Sequence, residues 1–221
     1  MVNDAAQKLE KRDDRSNIRV FEEGLDASYN EYSNDSERDR CSKESERLVN
    51  IAKKHNLFIP IEETKFLGYK HPKRTGESVV YVNEDTNRVF KVKNPYAKFS
   101  IKKGVQPEDV IFEHIVHNLL FPEAIYKFEG ISEEIDGVRI ILSQEFIQSK
   151  GQPTKKQIIN ALKEKGLVIE NNYFFGNDYV SITDIEGDNA LLDSNGNIRF
   201  IDPIICFKKP LKEILLKYYM Y

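Results

Sequence analysis

"ITDIEGDNALLDSNGNIRFIDP", residues 182–203, is the stretch on which the reading of this chain turns. It sets Asp184, Glu186, Asp188, Asn189, Asp193, Asn195, Asn197 and Asp202 among short runs of Leu, Ile and Phe. Two local structures compete for its middle. Asn195-Gly196 between "ALL" and "IRFI" is a strong turn signal, because both residues tolerate positive φ, and it predicts a β-hairpin. A calcium loop on Asp193, Asn195 and Asn197 would need Gly at its sixth position, where Ile198 stands, and Glu at its twelfth; it has neither. The flanks carry a second pattern. Asp184 and Asn189 have the spacing D-x-x-x-x-N, and Asp202 follows 18 positions after Asp184.

The totals bound the answer. A chain of 221 residues can form one large domain or two small lobes with a real core. A formal net charge of −3, with no long Lys/Arg block, argues against general nucleic-acid binding. Cys41 and Cys206 form neither a ligand motif nor a disulfide framework, and free thiols suit a reducing cytoplasm. No apolar run approaches the roughly 18 residues of a membrane span. "MVNDAAQKLEKRDDRS" lacks the apolar core of a signal peptide. The expectation is a soluble cytoplasmic protein with no membrane partner.

Working outward, residues 1–40 are polar and charge-mixed and read as a mobile arm or an extra helix, with Phe21, Leu25 and Tyr29 on one stripe. "SKESERLVNIAKKHNLF" reads as a helix capped by Ser42. "KFLGYKH", "ESVVYVN" and "NRVFKVKN" alternate and predict a three-stranded antiparallel meander. "PEDVIFEHIVHNLLF" is a helix started by Pro107 and closed by Phe121-Pro122. "AIYKFEGI" and "VRIILSQEFI" are two more strands, joined by "SEEIDG". A five-stranded antiparallel sheet with one helix is the expected product. "PTKKQIINALKEKG" is a helix ending at Gly166. Short strands through "YFFGNDYVSI", the opening stretch and a last helix "PLKEILLKYYMY" complete the chain.

Three strands, a helix, two strands, then a helical segment with a polar loop is the order of a protein-kinase-like fold. Phosphoryl transfer asks a protein for a cover over the phosphates, a cation, metal ligands and a group that orients the nucleophile. Gly76 and Ser78, in "RTGESVVY", stand where the cover would be, although the usual three-glycine pattern is absent. The cation is Lys91 or Lys93. In kinases the residue two before the lysine is small and apolar and roofs the adenine. Val89 fits Lys91, whereas Lys91 would be a poor roof for Lys93, so Lys91 is chosen. Glu113, mid-helix beside Phe112, Ile115 and Val116, is the expected partner of Lys91. Backbone groups of Glu145 and Ile147, in "ILSQEFIQ", are placed by position against the adenine edge, with Gln144 behind. Asp184 would orient the nucleophile or accept its proton. Asn189 and Asp202 would ligate Mg²⁺, which prefers hard oxygen ligands.

"GESVVYV…RVFKV", "EHIVHNLLFPEAIYKFEGI", "LSQEFI", "DIEGDNALLD" and "FIDPI" resemble the kinase-like domains found in polyvalent proteins of bacterial phages and conjugative elements. His117-Asn118, Phe121-Pro122, Tyr126 and the Ile-Asp-Pro ending are the more particular features, and the similarity covers roughly residues 60 to 210. The resemblance implies an α+β, protein-kinase-like fold: an N-lobe over 41–147 and a small truncated C-lobe over 148–221. It implies a minimal kinase-like protein that binds Mg-ATP in an interlobe cleft and transfers the γ-phosphate to an acceptor the sequence does not identify. Its functional residues would be Lys91, Glu113, Asp184, Asn189 and Asp202. There are departures. Ile182 and Thr183 replace the usual His and Arg before the catalytic Asp. Glu186 stands where a Lys or His is common, and Pro203-Ile204 follow the metal Asp. Only 19 residues follow Asp202, too few for an activation segment and the helices that hold protein substrates. They favour, as the alternative, a catalytically weak pseudokinase-like module that binds a protein partner.

Overall fold

The computed structural model describes residues 37–70, 78–96, 107–171 and 174–208. These divide into two compact units. One holds the residues up to Ile111 together with Tyr126–Phe146; the other holds Phe112–Ile125 and the residues from Ile147 on. The expected division after residue 147 is a single cut, whereas the contacts group Phe112–Ile125 with the later part of the chain. The expected arm below residue 37, with its Phe21, Leu25 and Tyr29, and the expected last helix lie outside the described residues. Among the described residues, no helix is long and apolar enough to cross a membrane.

The first unit is built on the expected five-stranded antiparallel sheet. Its strands are β1 (Tyr69–Lys70), β2 (Ser78–Asn83), β3 (Arg88–Lys93), β4 (Tyr126–Glu134) and β5 (Gly137–Glu145), in the order β1-β2-β3-β5-β4. Alternation along β3 sends Phe90 and Val92 to one face and Val89 and Lys91 to the other. Phe90 and Val92 pack with Ile141, Ile59 and Leu67. On that same face the Arg88 guanidinium donates to the Ser143 hydroxyl, which in turn donates to the buried Glu129 carboxylate. The three residues tie β3, β5 and β4 together at the irregularity between Phe128 and Gly130. Asn87, at φ 52°, takes the left-handed position in the β2–β3 turn.

The segment before β1 differs from expectation. Helix α1 (Glu37–Lys54) starts five residues upstream of Ser42, so Ser42 lies inside the helix and does not cap it. Glu37, Arg38 and Arg40 are good helix formers, Asp39 suits the positive end of the first turn, and the helix extends over them. Asn56, at φ 58°, ends the helix, and the Leu57 N–H reaches back to the Ala52 carbonyl at 2.8 Å. Leu57 and Ile59 then exchange backbone hydrogen bonds with Ile131, covering the β4 edge of the sheet. The expected "KFLGYKH" strand begins late: its first two residues, Lys65 and Phe66, end a 3-10 turn, Ile61–Phe66, entered from Pro60, Leu67 and Gly68 form a bend, and only Tyr69–Lys70 pair with β2. A pyrrolidine ring fixes φ for turn entry, and the Thr64 hydroxyl closes the turn on the Ile61 carbonyl at 2.7 Å. Residues 57–70 therefore run from one edge of the sheet to the other, over the face that carries Phe90. Gly68 is required at the end of this crossing. A Cβ there would stand 2.2 Å from the Val82 carbonyl oxygen.

The second unit has shorter elements: part of α2 (Pro107–Leu120), α3 (Lys155–Glu164) and six strands. β6 (Val168–Ile169), β7 (Phe175–Gly176), β8 (Val180–Thr183) and β11 (Ile204–Phe207) form a sheet ordered β11-β8-β7-β6, while β9 (Ala190–Leu192) and β10 (Ile198–Phe200) form a hairpin. Neither β6 nor β11 is foreseen by periodicity, because two to four residues carry too little of it. Thr154 and Gln157 cap α3 reciprocally, and Gly166 at φ 76° turns the chain out of it. Ile158, Leu162, Leu167, Phe121, Ile182 and Phe200 are among the core residues, with the Phe121 and Phe200 rings 4.9 Å apart. Each such fully buried side chain contributes about 1.5–3 kcal/mol.

Candidate functional site

The first unit holds Ser78, Val89, Lys91 and Glu145. Ser78 opens β2, is buried, and pairs with Lys93. Gly76 lies outside the described residues. Lys91 is 6% exposed, a low value for an ammonium group, whereas Lys93 is half-buried. The Lys91 Nζ donates to the Tyr126 hydroxyl at 2.5 Å. Val89, Gln144 and Tyr126 lie in one row across β3, β5 and β4, with Lys91, Leu142 and Phe128 in the next. Glu145 ends β5 opposite Arg88 and is exposed. The following Phe146 N–H is bound by the Asn87 carbonyl at 2.9 Å. Backbone groups of successive extended residues point to opposite sides, so those of Glu145 face away from β3.

The second unit holds Glu113, Ile147, Asp184, Asn189 and Asp202. Ile147 is half-buried just past β5. The register of β8 with β11 pairs Thr183 with Ile204. Asp184 therefore leaves the same end of this ladder that Asp202 and Pro203 enter. Asp184 is exposed and adopts φ 55°, a left-handed conformation that Asp tolerates better than most L residues. Asn189, at the end of the short turn Gly187–Asn189, joins the two chain segments. Its Nδ2 donates to the Asp184 carbonyl at 2.9 Å, and its own carbonyl accepts from Ile201, next to Asp202, at 3.0 Å. That hydrogen bond holds the Asn189 side chain against the Asp184 backbone through its amide nitrogen.

Helix α2 adds two polar contacts within this unit. Glu113 Oε1 accepts from the Ile205 N–H at 2.9 Å, three residues beyond Asp202. His117, 3% exposed, brings Nε2 within 3.0 Å of the Phe200 carbonyl, so that nitrogen carries the proton. The sequence offers a buried-looking Glu and a His four residues later, but nothing in it says that both reach the strands around Asp202.

The turn between β9 and β10 settles the local question raised at the outset. Asp193 Oδ1 accepts from the backbone of Asn195 and of Asn197, each at 2.9 Å, and Oδ2 accepts from Arg199 at 2.8 Å. Burial works to raise the Asp193 pKa. The hydrogen bonds from the Asn197 backbone, Arg199, the Asn195 backbone and the Asn197 side chain outweigh it and hold the carboxyl at about 2. Both oxygens serve the hairpin and Arg199, which speaks against a calcium loop. Glu186, the residue least suited to phosphate chemistry, stands 3.7 Å from the Lys155 ammonium at the start of α3. Both side chains are more than 60% exposed, so the pairing offsets charge without fixing geometry. Elsewhere in the unit, Glu170 is held below the usual carboxylate range by hydrogen bonds from Lys208 and Ser181.

Among the described residues, no three His, Cys, Asp or Glu side chains cluster to hold a metal ion. Asn189 and Asp202 offer one amide oxygen and one carboxylate. That set suits Mg²⁺, which commonly takes one or two protein oxygens and completes its shell with water and phosphate. The α+β architecture, with its five-stranded antiparallel sheet, is compatible with a kinase-like fold. A family model for serine/threonine/tyrosine kinases found in polyvalent proteins matches residues 41–209, and the chain belongs to that family. No curated protein matches it.

Proposed function

We propose that this chain is a minimal kinase that binds Mg-ATP and transfers its γ-phosphate. The observation that carries the reading is the meeting of Asp184, Asn189 and the backbone beside Asp202 at one end of the β8–β11 ladder. In this reading Lys91 holds the phosphates, with Ser78 and Gly76 covering them. Val89 and the backbone of Glu145 and Ile147 receive the adenine. Asn189 and Asp202 hold Mg²⁺, which would supply neutralisation of the phosphate charge. Asp184 orients the acceptor hydroxyl, and its backbone is held by Asn189 during that task. Glu113 supports the arrangement by fixing the strand that follows Asp202.

The test is phosphate transfer from γ-labelled ATP with Mg²⁺, to the protein itself or to a peptide mixture. Asp184→Asn keeps the left-handed backbone and should lose at least about 100-fold in rate. Equal rates in wild type and variant would remove the enzyme reading. Glu186 favours a second reading, a nucleotide-binding module with weak or no transfer that contacts a protein partner. Mg-ATP would then raise the melting temperature of the wild type with no transfer above the Asp184→Asn background. Loss of the shift in Lys91→Met and in Asp202→Asn would show that each of these residues serves nucleotide binding.

A further inference from the structure

Lys91 and Tyr126 stand on β3 and β4, with β5 between them. Neighbouring strands lie about 4.8 Å apart, so these two are nearly 10 Å apart, and their side chains must lean toward each other over β5 to touch. They do so diagonally across the rows of Gln144 and Leu142, and the ammonium donates to the phenol oxygen at 2.5 Å. Both residues are buried, Tyr126 to within 2%. A buried ammonium on a flexible four-carbon stem has three donors to satisfy and many rotamers to lose. A rigid phenol whose ring is packed in the sheet accepts one of those donors and fixes the direction of the others.

We propose that Tyr126 is a positioning residue for Lys91, holding the ammonium in the direction from which it meets nucleotide phosphates. The inference rests on the reading of Lys91 as the phosphate-holding cation. Its role is confined to phosphate contact: Tyr126 acts through Lys91, and a nucleoside without phosphates does not sense it. A phenylalanine at this position would keep the ring in the core and remove only the acceptor.

The experiment is calorimetric titration of wild type, Tyr126→Phe, Lys91→Met and the double variant with ATP and with adenosine, both in Mg²⁺. The quantity read is the gain in affinity of ATP over adenosine. Tyr126→Phe should reduce that gain about 10-fold, the loss expected for one charge-assisted hydrogen bond, and leave adenosine binding unchanged. In the Lys91→Met background, Tyr126→Phe should have no further effect. A wild type that binds ATP no tighter than adenosine overturns the nucleotide reading and this inference with it. A wild-type gain that Tyr126→Phe leaves intact overturns this inference alone. Equal weakening of ATP and adenosine, or a further loss in the Lys91→Met background, assigns Tyr126 to packing and also overturns it. A second measurement needs no variant. In ¹⁵N-lysine-labelled wild type, a held, buried ammonium gives a resolved, slowly exchanging Nζ resonance, and the absence of any such resonance counts against the contact.

Discussion

The two units reach order by different means. In the first, four strands of six to nine residues pair over long registers beside the two-residue β1, and the ladder itself sets where Lys91, Val89 and Tyr126 stand. In the second, strands of two to four residues cannot do this alone. Polar side chains take over there: Asn189 on Asp184, Asp193 on its own turn, Glu113 on Ile205 and His117 on Phe200. A site built from long ladders tolerates loss of a polar side chain, because most backbone groups are already paired. A site built from short strands does not, because each such side chain satisfies a backbone group that has few other partners.

Substitutions can break or sharpen this contrast. The largest effects should be shared by both units. Phe90→Ala and Phe200→Ala each remove a fully buried ring and should cost about 3–5 kcal/mol, measured by denaturant unfolding. A much smaller loss in one of them would show that its core collapses around the missing ring. The polar contacts come next. Asn189→Ala should cost about 1 kcal/mol and abolish stabilisation by Mg-ATP. Asp184→Ala should cost about 1 kcal/mol more than Asp184→Gly, because alanine resists the left-handed backbone that glycine adopts freely. Equal stability of the two Asp184 variants would show that the turn relaxes.

Acid should bear on the β9–β10 hairpin. The Asp193 carboxyl titrates at about 2 in the fold and near 3.9 when unfolded. A depressed carboxyl contributes stability that is fully present above the unfolded value and lost as pH falls through the folded one. The wild-type melting temperature should therefore drop more steeply between pH 4 and pH 2 than that of Asp193→Asn. Parallel curves would deny Asp193 this role. The smallest effect belongs to the exposed pair: Lys155→Ala and Glu186→Gln should each change stability by less than about 0.5 kcal/mol.

Much of this was legible before any coordinates. Val79, Tyr81, Phe90 and Val92 advertise their strands by alternation. Pro107 and Phe121-Pro122 bracket α2. Asn195-Gly196 marks the hairpin. The misreadings have a common cause. "KFLGYKH" alternates like a strand, yet Pro60 and the Thr64 hydroxyl favour a turn, and Gly68 must pass the Val82 carbonyl before pairing can begin. Ser42 looks like a cap, yet Glu37, Arg38 and Arg40 before it are themselves good helix formers. In each case one local signal was read while a neighbouring one prevailed.

The sequence by itself determined the period of each long element and the turn chemistry. These depend on a few adjacent residues and on the fixed alternation of strand side chains. Only the tertiary structure decided that residues 57–70 cross the sheet, that Lys91 leans over β5 to Tyr126, that Glu113 holds the Ile205 backbone, and that Asp184 and Asp202 meet at one ladder end. Those pairings join residues 18 to 92 positions apart. Several partners could have satisfied each backbone edge or buried charge locally. The choice among them was made by which edges and faces the packed strands left uncovered.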